Sequence, residues 1–297
     1  MDYESALADL RRLAVEHVGE HLGPQLAALA RRGFMLKPAS DDAPPTGRCR
    51  AGGPALLEPG TPWPENGTGI PLSLIAVLDT DELAPWLGEE LPTPLGLVNI
   101  FITQPDPQYA DDPRFAQKTG KFPALYGYDD DSDRRIVLAD PARAVEIPAP
   151  APATVFGRRP LHAAPVLTLP SFDGDLVDPV LETLDYRADP EFDENDLFPP
   201  YERLIRDRFS EAWRDYCRHD LGFRREDGWS VSDQAFGWPY IDSWLMEERE
   251  EEYTHLLTLS RDVLWPYGDA FDRVMVPTSA LRNGAFARVV YEGDGVH

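Results

Sequence analysis

Apolar residues recur at two different spacings along this chain, and each spacing predicts its own kind of element. Near the start, Leu7, Leu10, Ala14, Val18 and Leu22 return every three or four positions, the period of one helix face. Asp2 can cap the start, and Gly23-Pro24 stops the pattern. The expectation is a helix over 2–22 and a second short helix opened by Pro24. Tyr201–Cys217 repeats the helical period with Leu204, Ile205, Phe209, Trp213 and Tyr216 on one side.

Elsewhere the apolar runs are short and nearly continuous. Leu72–Leu78 and Leu256–Leu259 lack solvent-facing alternation and predict central, buried strands. Further strands are expected at Leu97–Ile102, Val166–Leu169, Val274–Val276 and Ala287–Tyr291, with a hairpin from Leu125–Tyr128 and Arg135–Leu138. Phe34–Leu36 is a further short strand. Asp79, with Glu82 three residues on, resembles a capping box opening a short helix. The expected class is α+β, with mixed, mainly antiparallel sheets and flanking helices. The expected division is a helical N-terminal segment over 1–37 and an α+β domain over 38–297.

The two halves echo each other. Gly52-Gly53-Pro54 and Gly237-Trp238-Pro239 are turns followed by an apolar strand, an acidic residue (Asp79; Asp262), a glycine turn (Gly96; Gly268) and another strand. An internal duplication is one reading. The ordinary turn-and-strand rhythm of a sheet is the other.

Composition narrows the function classes. Lys and Arg total 28 against 52 Asp and Glu, a formal net charge of −24. Such a chain repels phosphate, so nucleic acid and anionic membranes are not expected partners. A basic protein or a small cationic ligand fits better. Thirty prolines and 22 glycines favour many turns over long bundles. Cys49 and Cys217 show no framework spacing, and Met1-Asp2-Tyr3-Glu4 has no leader pattern, so a cytoplasmic protein with unpaired thiols is expected.

Motifs for specific chemistry are incomplete. His17-Val18-Gly19-Glu20-His21 puts two histidines at i and i+4 with a glutamate between, a zinc-hydrolase spacing. Gly19 weakens that helix and no third ligand is evident. Asp129–Asp133 alternates oxygens like a calcium loop, but Arg134 occupies the position that needs glycine. No metal and no cofactor is expected. Cys49 lies between Arg48 and Arg50, whose charges could activate a thiol.

The ordered run Gly52-Gly53-Pro54, Trp63-Pro64, Gly69, Pro71-Leu72, Asp79, Glu82-Leu83, Leu91-Pro92 and Gly96-Leu97 resembles the YwqG-like family, bacterial proteins of unknown function. Gln234-Ala235-Phe236-Gly237-Trp238-Pro239 is similar to the family's His-x-x-Gly-Gly-x-Pro stretch, with Gln234 where His is usual and Phe236 in place of Gly. Trp265-Pro266-Tyr267-Gly268-Asp269-Ala270 resembles its Trp-Gly-Asp-Ala-Gly turn, with two residues inserted. The resemblance covers about 50–290 and implies an α+β fold but no activity.

The expected site gathers Arg50, Trp63, Gln234, Trp265 and Asp269 where the two glycine-turn blocks meet. An aromatic wall and a few polar groups there would orient a small ligand. Asp269 as acid/base and Cys49 as nucleophile are the catalytic candidates. The expected function is a binding or interaction protein engaging a basic partner. The alternative is an enzyme or small-molecule sensor using that shared pocket.

Overall fold

The structure is a computed structural model of the 297-residue chain. It describes residues 2–91, 93–104, 108, 133–170, 184, 204, 233–239, 253–260, 270–286 and 289–295. The helix and calcium-loop expectations at Tyr201–Cys217 and Asp129–Asp131 fall outside these residues, apart from the buried Leu204.

Helix α1 (Tyr3–Ala28) begins where the sequence places it: the Asp2 carboxylate accepts from the Ser5 amide at 3.1 Å. Ala6, Leu10, Ala14, Val18 and Leu22 form its buried stripe. The break comes at Gly19, whose φ of 86° and ψ of 169° are not helical, rather than at Gly23-Pro24. The chain there folds back on itself. A Cβ on Gly23 would lie 2.5 Å from the Val15 backbone nitrogen, so only glycine permits the approach.

The strands are β1 (Arg31–Pro38), β2 (Arg50–Ala51), β3 (Ala55–Leu57), β4 (Ser73–Asp79), β5 (Leu97–Ile102), β6 (Arg134–Ala139), β7 (Val145–Ile147), β8 (Arg159–Thr168), β9 (Gln234–Phe236), β10 (Tyr253–Ser260), β11 (Ala270–Pro277) and β12 (Val290–Gly295). Helices α2 (Thr80–Leu87) and α3 (Thr278–Asn283) follow β4 and β11. Among the described residues, ten strands form one sheet in the order β12-β11-β10-β9-β1-β8-β2-β4-β5-β6, and β3 pairs with β7 in a separate ribbon.

Two expectations are corrected here. The fold is mainly β rather than α+β, because the sheet dominates and the helices are few. Its ladders among the described residues are antiparallel throughout rather than mixed. The division after residue 37 also cuts through β1, which pairs with β8 on one edge and β9 on the other. The expected central strands are central: β4 is buried at every position, and Leu256, Leu257 and Leu259 of β10 are fully enclosed.

The strand order has an internal two-fold regularity. The series β1, β2, β4, β5, β6 and the series β8 to β12 run outward from the β1–β8 pair in opposite directions, each first strand lying beside the second strand of the other. Details repeat as well. A single-residue bulge interrupts β4 between Leu74 and Ala76 and β10 between His255 and Leu257. Two successive left-handed residues follow β2 (Gly52, φ 58°; Gly53, φ 80°) and close β9 (Phe236, φ 60°; Gly237, φ 71°). The registers then make Arg50, opposite Val77, the equivalent of Gln234, opposite Thr258; likewise Asn99 is the equivalent of Arg273.

Two apolar clusters sandwich the sheet's first series. On one face Leu10, Ala14, Leu22 and Leu83 pack against Phe34, Ile75, Leu78 and Ile100. On the other, Ala55, Leu56 and Leu57 of the β3–β7 ribbon pack on Leu74, Val77, Leu97 and Phe101. No helix among the described residues is long and apolar enough to cross a membrane.

Candidate functional site

Five polar residues that the sheet buries, Arg50, Asn99, Gln234, Thr258 and Arg273, lie on the face opposite α1 and α2. Side chains directly opposite in a ladder share a face, so Pro160, Arg50, Val77 and Asn99 form one row. Met35, Gln234, Thr258 and Arg273 form the corresponding row of the second series.

Arg50 is 6% exposed. Its Nη2 donates to the Pro54 carbonyl, and its Nη1 stands 4.0 Å from Glu146, a carboxylate also paired with Arg158. Burial first, then the neighbouring Arg158 and Arg48 charges, bring its pKa down to about 10. Gln234 is 2% exposed, and its Oε1 has no hydrogen-bond partner among the described residues.

Arg50 and Gln234 share a face but do not meet. Strands β8 and β1 separate them, and their registers differ by four residues: Gln234 lies opposite Met35, while Pro160, opposite Arg50, bonds to Ala39. Three strand spacings across and four residues along place them roughly 20 Å apart. The turns at Gly52 and Gly237 lie at opposite ends of this central region, roughly 30 Å apart by the same geometry. Trp63 is a packing residue: its Nε1 donates to the Leu72 carbonyl at 2.8 Å, and its ring meets Phe101 edge-on at 5.3 Å. Trp265 and Asp269 lie outside the described residues. Among the described residues, Arg50 and Gln234 therefore do not line one shared pocket.

Cys49 is enclosed at 1% exposure, and its sulfur accepts from the Asp79 amide. Burial pushes the thiol up to about 12, so it stays protonated at neutral pH despite its arginine neighbours. We expect Cys49 to resist iodoacetamide in the native protein at mildly alkaline pH and to react on denaturation. Peptide-level mass spectrometry separates it from Cys217, and rapid native labelling at Cys49 would contradict this account.

The other motifs resolve structurally. Helical backbone is lost at Gly19, between His17 and His21, so the two histidines do not share one continuous helix face. Asp133 is buried, its Oδ1 accepting from Thr103 Oγ1 at 2.8 Å and Asn66 Nδ2 at 3.2 Å. Asp79 occupies the N-cap position but makes no capping bond; its carboxylate accepts from the Arg48 amide instead. No group of three or more His, Cys, Asp or Glu among the described residues is placed to hold a metal.

The sequence reading missed a polar cluster in the second series. His255 is 1% exposed; its Nδ1 lies 3.2 Å from the Phe236 carbonyl and its Nε2 2.7 Å from Thr258 Oγ1. Burial, with Arg273 adding to it, holds the imidazole down at about 4. Arg273 is 1% exposed and lies opposite Thr258. The sequence offers no alternation that marks them: His255 adjoins Thr254 and Arg273 adjoins Asp272 within otherwise apolar runs.

Residues 49–294 match a family described as a domain of unknown function, DUF1963. No curated protein matches the chain.

Proposed function

We propose a binding role, from the premise that the chain belongs to the DUF1963 family. The finer family type is YwqG-like, on the ordered Gly-Gly-Pro, Trp-Pro, Pro-Leu and Leu-Pro elements between Gly52 and Leu97. The partner is a basic protein met in the cytoplasm. One observation carries this reading: acidic residues exceed basic ones by 24. A charge surplus of that size steers cationic partners toward the protein and repels polyanions.

The buried chemistry supports binding over catalysis. The Cys49 thiol is held protonated, and both His255 ring nitrogens are engaged in a closed interior. Neither group reaches solvent to meet a substrate.

The test is affinity capture with the tagged full chain in lysate of the organism that encodes it. A specific partner with a basic surface should be retained at low salt. It should be released as ionic strength rises, because the Debye length falls from roughly 10 Å at 0.1 M to 3 Å at 1 M. A specific partner that stays bound in high salt, or a neutral or acidic one, would sink the reading.

A further inference from the structure

We propose that Arg50 and Arg158, beside the Gly52-Gly53 turn, form a binding site for the carboxylate of a small molecule, held closed by Glu146 acting as an internal carboxylate. The inference is independent of the protein partner proposed above.

Arg50 is a buried cation with too few partners. A guanidinium carries five N–H donors. Here one bond goes to Pro54, Glu146 stands off at 4.0 Å, and Nε has no partner among the described residues. Burying a charge without full pairing is costly, so a strand-end position would ordinarily carry an apolar or neutral side chain. The fold itself shows that no charge is needed here. The equivalent position in the second series is Gln234, at the same distance from its own left-handed turn.

The turn brings a second arginine to the first. Gly53 sits at φ 80°, and a Cβ there would lie 3.1 Å from Arg158 Cβ. The missing side chain is what lets the Arg158 stem lie on the turn. Two guanidinium groups and one carboxylate leave a local charge of +1 (two positive, one negative). The exposed Arg48 adds to the positive field at Arg50.

Glu146 is a weakly held lid. Its side chain is 50% exposed and that of Arg158 43% exposed, and solvent-screened ion pairs of this kind hold only weakly. Glu146 sits at the end of the Arg50 side chain, 4.0 Å from Nη1. A ligand carboxylate entering as Glu146 swings outward would engage both arginines and take over the negative charge that Glu146 supplies, so the exchange leaves no further charge to be buried. Paired guanidinium groups favour a planar carboxylate through parallel N–H donors.

The experiment titrates the full chain with sodium acetate, sodium phosphate and sodium chloride at matched ionic strength. Thermal stability and the Arg50 Nε–H signal in a 1H–15N spectrum are followed together. Acetate should shift that signal and raise the melting temperature where chloride does not. Glu146→Gln, which removes the competing carboxylate, should bind acetate several-fold more tightly. Arg158→Ala, on an exposed side chain, should keep the fold and bind several-fold more weakly. Equal responses to acetate and chloride in both the wild type and Glu146→Gln would overturn the site. Phosphate binding more tightly than acetate would overturn its assignment to carboxylates.

Discussion

Asn99→Ala is expected to destabilise the protein by about 2–5 kcal/mol, although the side chain is small and lies in the middle of an apolar strand. The amide fastens the β3–β7 ribbon to the sheet. Its Oδ1 accepts from the Leu56 amide at 2.9 Å, while its Nδ2 donates to the Leu56 carbonyl at 2.8 Å and the Val137 carbonyl at 3.2 Å. Leu56 is 5% exposed, so truncation strands a buried N–H and a buried C=O together. Each such group costs about 1–3 kcal/mol. Asn99→Asp should be worse than alanine above the carboxylate pKa, because it keeps the acceptor but turns an anion toward two carbonyls. Denaturant titration gives the loss, and hydrogen exchange at the Leu56 amide shows whether the ribbon has been released. Wild-type stability with a protected Leu56 amide in Asn99→Ala would show that the ribbon is held by packing alone.

The same residue marks where the sequence stopped being legible. Period and turn chemistry located α1, β4, β5, β10 and β11, because each rests on local spacing. They overstated the helices, since a long helical pattern is more conspicuous in sequence than strands of two or three residues such as β2, β3 and β9. Polar residues inside apolar runs, Asn99, His255 and Arg273, were invisible as a group. Only cross-strand register puts them on one face. The echo between the halves is one residue out of step with the fold. Likeness of residue type pairs Gly52-Gly53-Pro54 with Gly237-Trp238-Pro239, whereas the left-handed pair equivalent to Gly52-Gly53 is Phe236-Gly237. A left-handed conformation at a bulky non-glycine residue cannot be anticipated from residue type. The expected site drew together residues from both turns on motif likeness alone. The two-fold arrangement sends those turns to opposite ends of the central strands, so motif likeness gave equivalence rather than proximity.

The pH dependence of stability should contain two large contributions of opposite sign. His255 titrates at about 4 in the fold against an ordinary 6.5, chiefly through burial. The unfolded chain therefore takes up the proton first as pH falls, and this contribution, complete above 6.5, is lost toward 4. Glu90 runs the other way. Burial raises its carboxyl from 4.5 to about 7, against the lowering effect of the Arg32 amide hydrogen bond and the Arg31 and Arg32 charges. Its contribution is complete below 4.5 and is lost as pH rises through about 7. Shifts of this size correspond to about 3 kcal/mol each, and between pH 4.5 and 6.5 they largely cancel. The wild type should therefore show little net slope from this pair. Glu90→Gln keeps an oxygen for the Arg32 amide and removes the titration. It should match the wild type near pH 4.5 and exceed it by about 3 kcal/mol above pH 7, exposing the acid sensitivity that His255 confers. His255→Asn should be less stable overall, through its lost hydrogen bonds, but its stability should fall with rising pH across the same window. Denaturation midpoints measured at intervals across this range decide the matter. If the Glu90→Gln and wild-type curves run parallel, Glu90 ionises normally, and the contact between β1 and the end of α2 is more open to water than its burial implies.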